Sequence, residues 1–446
     1  MLCAILLMAA TAGCGRNLGG DITGWSPATV SDGVVYVGTK QGAVLALADN
    51  GFGDVSLIDT SVEFIPGIHS NFVIGEDLVY TTSSDGFLYA LDKQGLQRGE
   101  RGWVIPVGQG IEPQPLIAGV ALWNPPEGAR QALLVASQDG SLYAYDANWD
   151  QSGDPLLWPP FVTGDKIWSP PVISENTAYF GSHDQNVYAI YLDEGRDTRE
   201  KWRFATGGAV ASRPLLFQDL VIVGSFDKKL YALDADDGTL RWTFEGNNWF
   251  WAGAVADERT IFASSMDGNV YALDASGNLR WKYQVGSSIV STPVLTTSGL
   301  VVASKDGKII LLDTNPVTLG QSQSIPIDLD TKVQAPLSLR VRAIPTTDDQ
   351  YRLLLEMIGG IRLAEDPRFA TSTARQRFGQ ELDDEIEGWM ATQPQDTIGA
   401  RLFGAGIPVE ESVFVGAQDN TVRRFDVKNS QLRRVWCYHT KDVLCE

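Results

Sequence analysis

The chain has 446 residues, is 44% hydrophobic and carries a formal net charge of −20 at pH 7. That apolar content supports a large folded core and excludes a disordered chain. The acidic excess repels nucleic-acid phosphates and anionic lipid headgroups, and no basic patch offsets it, which excludes nucleic acid as a partner and leaves a lipid anchor as the only expected membrane contact.

The N-terminus reads "MLCAILLMAATAGCGRN", apolar and uncharged over residues 1–13 and rich in small residues at its end. This is the pattern of an export signal, too short to span a bilayer as a helix. Thr11-Ala12-Gly13-Cys14 resembles a bacterial lipobox, in which the cysteine receives a diacylglycerol group and becomes the new N-terminus, although Thr11 stands where Leu is usual and no basic residue follows Met1. Residues 1–13 are thus expected to be a signal peptide, Cys14 the lipidation site, 14–23 a lipidated linker, and 24–446 a single folded domain.

From residue 39 onward the chain repeats itself. The copies are "TKQGAVLALAD" (39–49), "SSDGFLYALD" (83–92), "SQDGSLYAYD" (137–146), "SHDQNVYAIYLD" (182–193), "SFDKKLYALD" (225–234), "SMDGNVYALD" (265–274), "SKDGKIILLD" (304–313) and "AQDNTVRRFD" (417–426). Their turn residues Gln41, Asp85, Asp139, Asp184, Asp227, Asp267 and Asp306 lie 39 to 54 residues apart, and a gap of 113 then leads to Asp419.

Each unit parses into four short strands. In the sixth, "WFWAGAVA", "TIFASS", "NVYALD" and "LRWKYQV" are separated by Gly- and Asp-containing turns that supply the positive φ angles of tight hairpins. Along the third strand Val270 and Ala272 point one way and Tyr271 and Leu273 the other, so both faces of the sheet are apolar and both need cover. A ring of radially packed four-stranded blades meets that need, and a unit of this length is the period of a β-propeller. Trp103, Trp158, Trp202, Trp242, Trp281 and Trp436 fall in the last strand of their units, where burial between blades accounts for them.

The set of Ser-x-Pro before the first strand (Trp25-Ser26-Pro27, Trp168-Ser169-Pro170, Ser212-Arg213-Pro214, Ser291-Thr292-Pro293), Ser-x-Asp-Gly before Tyr-Ala-Leu-Asp, and Gly before Trp resembles the pyrroloquinoline-quinone-like (PQQ-like) repeat family. With its export signal, the chain is similar to the propeller lipoproteins that assist outer-membrane protein assembly. The resemblance implies an all-β propeller of four-stranded antiparallel blades, eight in number if residues 315–401 are an irregular insertion with a short helix, or nine if 332–396 are a degenerate blade. Within that segment Phe378, Leu382, Ile386 and Trp389 or Met390 recur at helical spacing, a stripe that either packs on its own domain or docks a partner.

Quinone-dependent members of the family hold the cofactor with a disulfide between adjacent cysteines, a Trp under the ring and a Ca²⁺ ion; this chain has no Cys-Cys pair. Its three His, at 69, 183 and 439, are far apart in sequence, and it lacks a His-Glu-x-x-His helix, a Gly-x-Ser-x-Gly elbow and a P-loop. Ser225-Phe226-Asp227-Lys228 matches Ser-x-x-Lys but coincides with the repeat turn, and His183, at the variable position of such a turn, is expected on the surface. No catalytic residue, cofactor or metal is therefore expected.

One constellation remains. Trp25, Trp168, Trp251 and Phe403 fall just before the inner strands of their units, where a propeller gathers equivalent positions around one mouth of its channel. With Trp249 and Phe250 of "NNWFWAG" they are the candidate interaction surface; the alternative is that they plug the channel as core. Cys437 and Cys445, with seven residues between them, read as a disulfide in an exported chain. The expected function is a non-catalytic, lipid-anchored scaffold in the bacterial cell envelope that binds envelope proteins or extended peptide segments, the alternative being a PQQ-dependent or small-ligand-binding oxidoreductase.

Overall fold

The computed structural model describes residues 26–343 except 32, 40–41, 50–54, 61–66, 94–95, 97–101, 109–112, 126–129, 194–198 and 315–325; Gln350, Leu353 and Met357; and residues 401–444 except 403–404, 406, 420 and 440–442. The described chain forms eight antiparallel sheets, seven of four strands and one of five, each with its strands adjacent in chain order. Every apolar cluster is shared by two consecutive sheets, and one joins Val35, Val37 and Leu47 of the first to Phe414, Val422 and Trp436 of the last. The sheets are therefore blades of a closed eight-bladed ring.

The sixth blade shows how the repeat builds this ring. Its strands are Val255–Ala256, Ile261–Ser264, Asn269–Leu273 and Leu279–Gln284. Tyr271 and Leu273 enter the core shared with blade five, and Val270 and Ala272 the core shared with blade seven, as the alternation requires. Asp267 Oδ1 accepts the Asn269 amide at 2.9 Å and Oδ2 accepts the Tyr271 hydroxyl at 2.6 Å, so the turn Asp and the Tyr of Tyr-Ala-Leu-Asp lock the hairpin together. The same Tyr-to-Asp bond recurs at Tyr89, Tyr143, Tyr188 and Tyr231.

The Gly before Trp has an equally specific role, but the Trp it serves belongs to the preceding blade. Trp242, in the outer strand of blade five, donates from Nε1 to the Ala275 carbonyl of blade six at 2.9 Å and lies over Gly277. Trp202 of blade four repeats this with the Ala235 carbonyl at 3.0 Å and Gly238. The serine of Ser-x-Pro holds the inner strand to the second: Ser212 Oγ receives the Gly224 amide at 2.8 Å and donates to its carbonyl.

The blade count follows the repeat, and the place of one Trp is corrected. Eight blades are as expected, and among the described residues there is no ninth: Ser338–Ala343, inside the segment alternatively read as a degenerate unit, is the inner strand of blade eight, whose sheet continues with Val409–Ala417, Thr421–Lys428, Gln431–His439 and Val443–Leu444. The long interruption thus falls between the first two strands of blade eight. Gln350, Leu353 and Met357 are helical there, and Leu353 and Met357, one turn apart, pack on the core of blades seven and eight. The helical stripe from Phe378 to Met390 lies outside the described residues. Trp158 does not sit in an outer strand; it precedes Phe161–Val162, because Pro159 and Pro160 cannot donate to a sheet ladder.

Ring closure rests on one buried carboxylate. Asp49 of blade one, with a fully buried side chain, accepts from Arg340 Nη1 at 2.9 Å, Arg424 Nη1 at 2.6 Å and Trp436 Nε1 at 3.3 Å, all on blade eight. Arg424 is held in turn by Asp426 and Ser412.

Candidate functional site

In each blade the turn between the second and third strands lies beside the loop that enters the inner strand. The amides of His183, Phe226, Met266 and Lys305 donate to the carbonyls of Lys166, Ala209, Trp249 and Ser288 at 2.7–2.9 Å. The next loop residues, Ile167, Val210 and Phe250, are fully buried, and their amides reach the turn serine of the preceding blade, Ser137, Ser182 and Ser225. These contacts fix the register of the loops. Trp168, Ala211 and Trp251 therefore occupy equivalent positions in blades four, five and six.

Because the middle position carries only a methyl group, the two indoles meet across it, with ring centroids 5.9 Å apart. Phe226, from the turn of blade five, lies nearly parallel between Trp249 (4.5 Å, 10°) and Trp251 (5.3 Å, 15°). His183 completes the cluster at 4.1 Å from Trp168 and 5.7 Å from Phe226, and Lys166 Nζ sits 4.9 Å above the Trp168 ring. The sequence thus identified Trp168, Trp249 and Trp251 as neighbours but not their partners Phe226 and His183. The signal was the variable position of the repeat turn, Ser84, Gln138, His183, Phe226, Met266 and Lys305, a column that becomes aromatic in blades four and five.

Exposure divides the candidates. Trp249 is 39% exposed, whereas Phe250, two bonds along the backbone and on the opposite side, is fully buried in the core of blades five and six and offers no surface to a partner. Trp25, Phe403, Cys14 and Cys445 lie outside the described residues. Cys437 is disulfide-bonded.

His183 is not a surface residue as expected. Its Nε2 and the Nε1 of Trp168 are both buried and have no hydrogen-bond partner among the described residues. Burial, reinforced by the Lys166 ammonium and opposed by Asp165, pushes the imidazole down to about 4, so it is neutral at pH 7. The folded value lies below the unfolded value of about 6.5, so the stability linked to the neutral ring is complete above pH 6.5 and is lost as pH falls toward 4. Discounted for its half-buried position, we expect about 1–2 kcal/mol to be lost by pH 4.5, and His183→Gln to remove that part of the stability–pH profile. Identical profiles for the two proteins in urea unfolding would contradict this.

The neutral His183 has no acidic or basic partner within hydrogen-bonding reach, and among the described residues no three His, Cys, Asp or Glu converge to hold a metal.

Comparison with known proteins agrees with this architecture. The family model described as "Outer membrane protein assembly factor BamB" matches residues 138–249 and 247–316, from the turn of blade three through blade seven. A second model, "CoA-transferase family III", matches residues 340–421, whose described ends are strands of blade eight. BamB from Moraxella catarrhalis superimposes with a TM-score of 0.56 at 16% identity, covering 70% of this chain and 88% of that one. The computationally designed protein Ika8 gives 0.56 at 15% identity, covering 72% and 92%. The human β-alanine-activating enzyme is 32% identical over 111 residues, and the match spans 10% of that enzyme. From this fold and repeat, the chain is an eight-bladed β-propeller, similar over residues 138–316 to the PQQ-like repeat family of the outer-membrane assembly factor BamB.

Proposed function

We propose that this protein is a non-catalytic propeller, exported and anchored through a lipid on Cys14, that serves as a protein-interaction scaffold in outer-membrane assembly and docks its partners at the aromatic mouth of the ring. The observation carrying this reading is the Trp168–His183–Phe226–Trp249–Trp251 cluster on a propeller similar to BamB. A ring of rigid blades presents such side chains at low entropic cost, and aromatic residues dominate interface energetics. A disulfide between Cys437 and Cys445 would tie down the end of the chain, where fraying is otherwise expected.

The test is affinity capture from solubilised envelopes with the full chain. Wild-type protein is expected to recover a reproducible set of envelope proteins, Trp249→Ala at least about tenfold less of them, a loss on the scale of one interface hot spot, and Cys14→Ala to leave the membrane fraction. Stoichiometric binding of pyrroloquinoline quinone with Ca²⁺ and dye reduction would overturn the reading, as would capture of no reproducible partner.

A further inference from the structure

The parallel stack of Trp251, Phe226 and Trp249 ends on an indole that is 39% exposed. Every blade after the first has an Asp in the turn at this end of the ring, and two of these flank the stack: Asp227 follows Phe226 directly, and Asp267 accepts the amide of Asn247, two residues before Trp249, at 3.1 Å. Burial alone would raise the Asp267 carboxyl, but the Tyr271 hydroxyl and the Asn269 and Asn247 amides outweigh it and hold it below the usual carboxylate range. It remains ionised at neutral pH. The whole chain adds a net charge of −20.

An exposed indole face beside fixed negative charge suits a cation, because the ring quadrupole and the carboxylates attract the same sign. The cluster already contains one such contact, with Lys166 Nζ 4.9 Å over Trp168. Resting on the reading of this mouth as a docking face, we propose that the free face of Trp249 receives an arginine or lysine side chain from an extended basic segment of the partner protein. A guanidinium suits the position best, since it stacks flat on an indole and still donates to neighbouring carboxylates.

Three labelled peptides of equal length decide it: a Gly-Ser peptide carrying spaced Arg, the same peptide with Gln for Arg, and one with Tyr for Arg. The Arg peptide is expected to bind with an affinity that falls as salt rises, and Trp249→Ala to weaken it about 3- to 10-fold at unchanged net charge, with Trp249→Phe in between. Trp249 is exposed, so its replacement leaves the fold intact. Equal binding by wild type and Trp249→Ala would show nonspecific attraction to an acidic protein and overturn the proposal. So would a Gln or Tyr peptide binding as tightly as the Arg peptide. The scaffold reading is tested separately: capture that falls with Trp249→Ala while the Arg peptide binds both proteins equally sinks this inference alone, whereas Trp249-dependent Arg binding without captured partners sinks the scaffold alone.

Discussion

Asp49→Asn is expected to open the seam between blades one and eight. The substitution keeps the size of the side chain but removes the charge that pairs with two arginines, and Arg424 and Arg340 are too enclosed for water to replace it, with side-chain exposures of 3% and 15%. Breaking a buried ion pair by removing one partner costs about 3–5 kcal/mol, because the remaining charge stays desolvated. Asp426 still holds Arg424 at 2.8 Å and limits the loss. Hydrogen exchange reads this locally: amides of the strand Val44–Asp49 and of its partners across the seam should exchange about two to four powers of ten faster, with blades four to six unchanged. Uniform protection around the ring, equal to wild type, would show that Asp49 does not hold it closed.

Gly277→Ala should be strongly destabilising, through both its backbone and the indole above it. Gly277 has φ +82°, where an L-residue is strained, and a Cβ there would lie 2.5 Å from Cδ2 of Trp242 and 2.7 Å from its Cε3. The backbone contributes about 1 kcal/mol and overpacking against a ring fixed by its own hydrogen bond about 1–3 kcal/mol. A double-mutant cycle separates them. In a Trp242→Leu background the clash is gone and only the φ cost remains, so Gly277→Ala should fall from about 2–4 to about 1 kcal/mol in urea unfolding. An equal cost in both backgrounds would mean that the Gly is required for its backbone alone.

These two sites differ in how far the sequence exposed them. The Gly–Trp pair was visible as a recurrence, since both residues return at fixed offsets in consecutive units, but the recurrence is silent about partnership. Gly277 serves Trp242 of the blade before it, not Trp281 of its own. Blade number was legible from the turn spacing; the alternative of a ninth came from reading "KVQAPLSL" and "YRLLLEMIGGIRLAED" as a worn unit, whereas the strand that begins in the first of them finds its hairpin partner 66 residues further on, Ala343 opposite Val409. Asp49 was not legible at all. It stands at the Asp that ends every third strand, and only closure brings Arg340 and Arg424 to it. At the mouth, Trp168 and Trp251 could be placed together from the loop pattern, but their contact depends on Ala211 being small, a property of the blade between them.

Closure by side chains also sets an order of events. In many rings a borrowed strand could stitch the last sheet to the first; here the described strands of each sheet follow one another in chain order, and among them none is exchanged across the seam. A chain made from its N-terminus leaves Val35, Val37 and Leu47 without their cover until Phe414 and Trp436 have been added, nearly four hundred residues later. Throughout that interval the first blade presents an apolar sheet face and an unneutralised Asp49, the kind of surface that aggregates when long-range contacts form last. Completion of the fold is therefore a property of the final strands, and a chain shortened by its last blade would keep seven well-formed sheets and still lack a molecule.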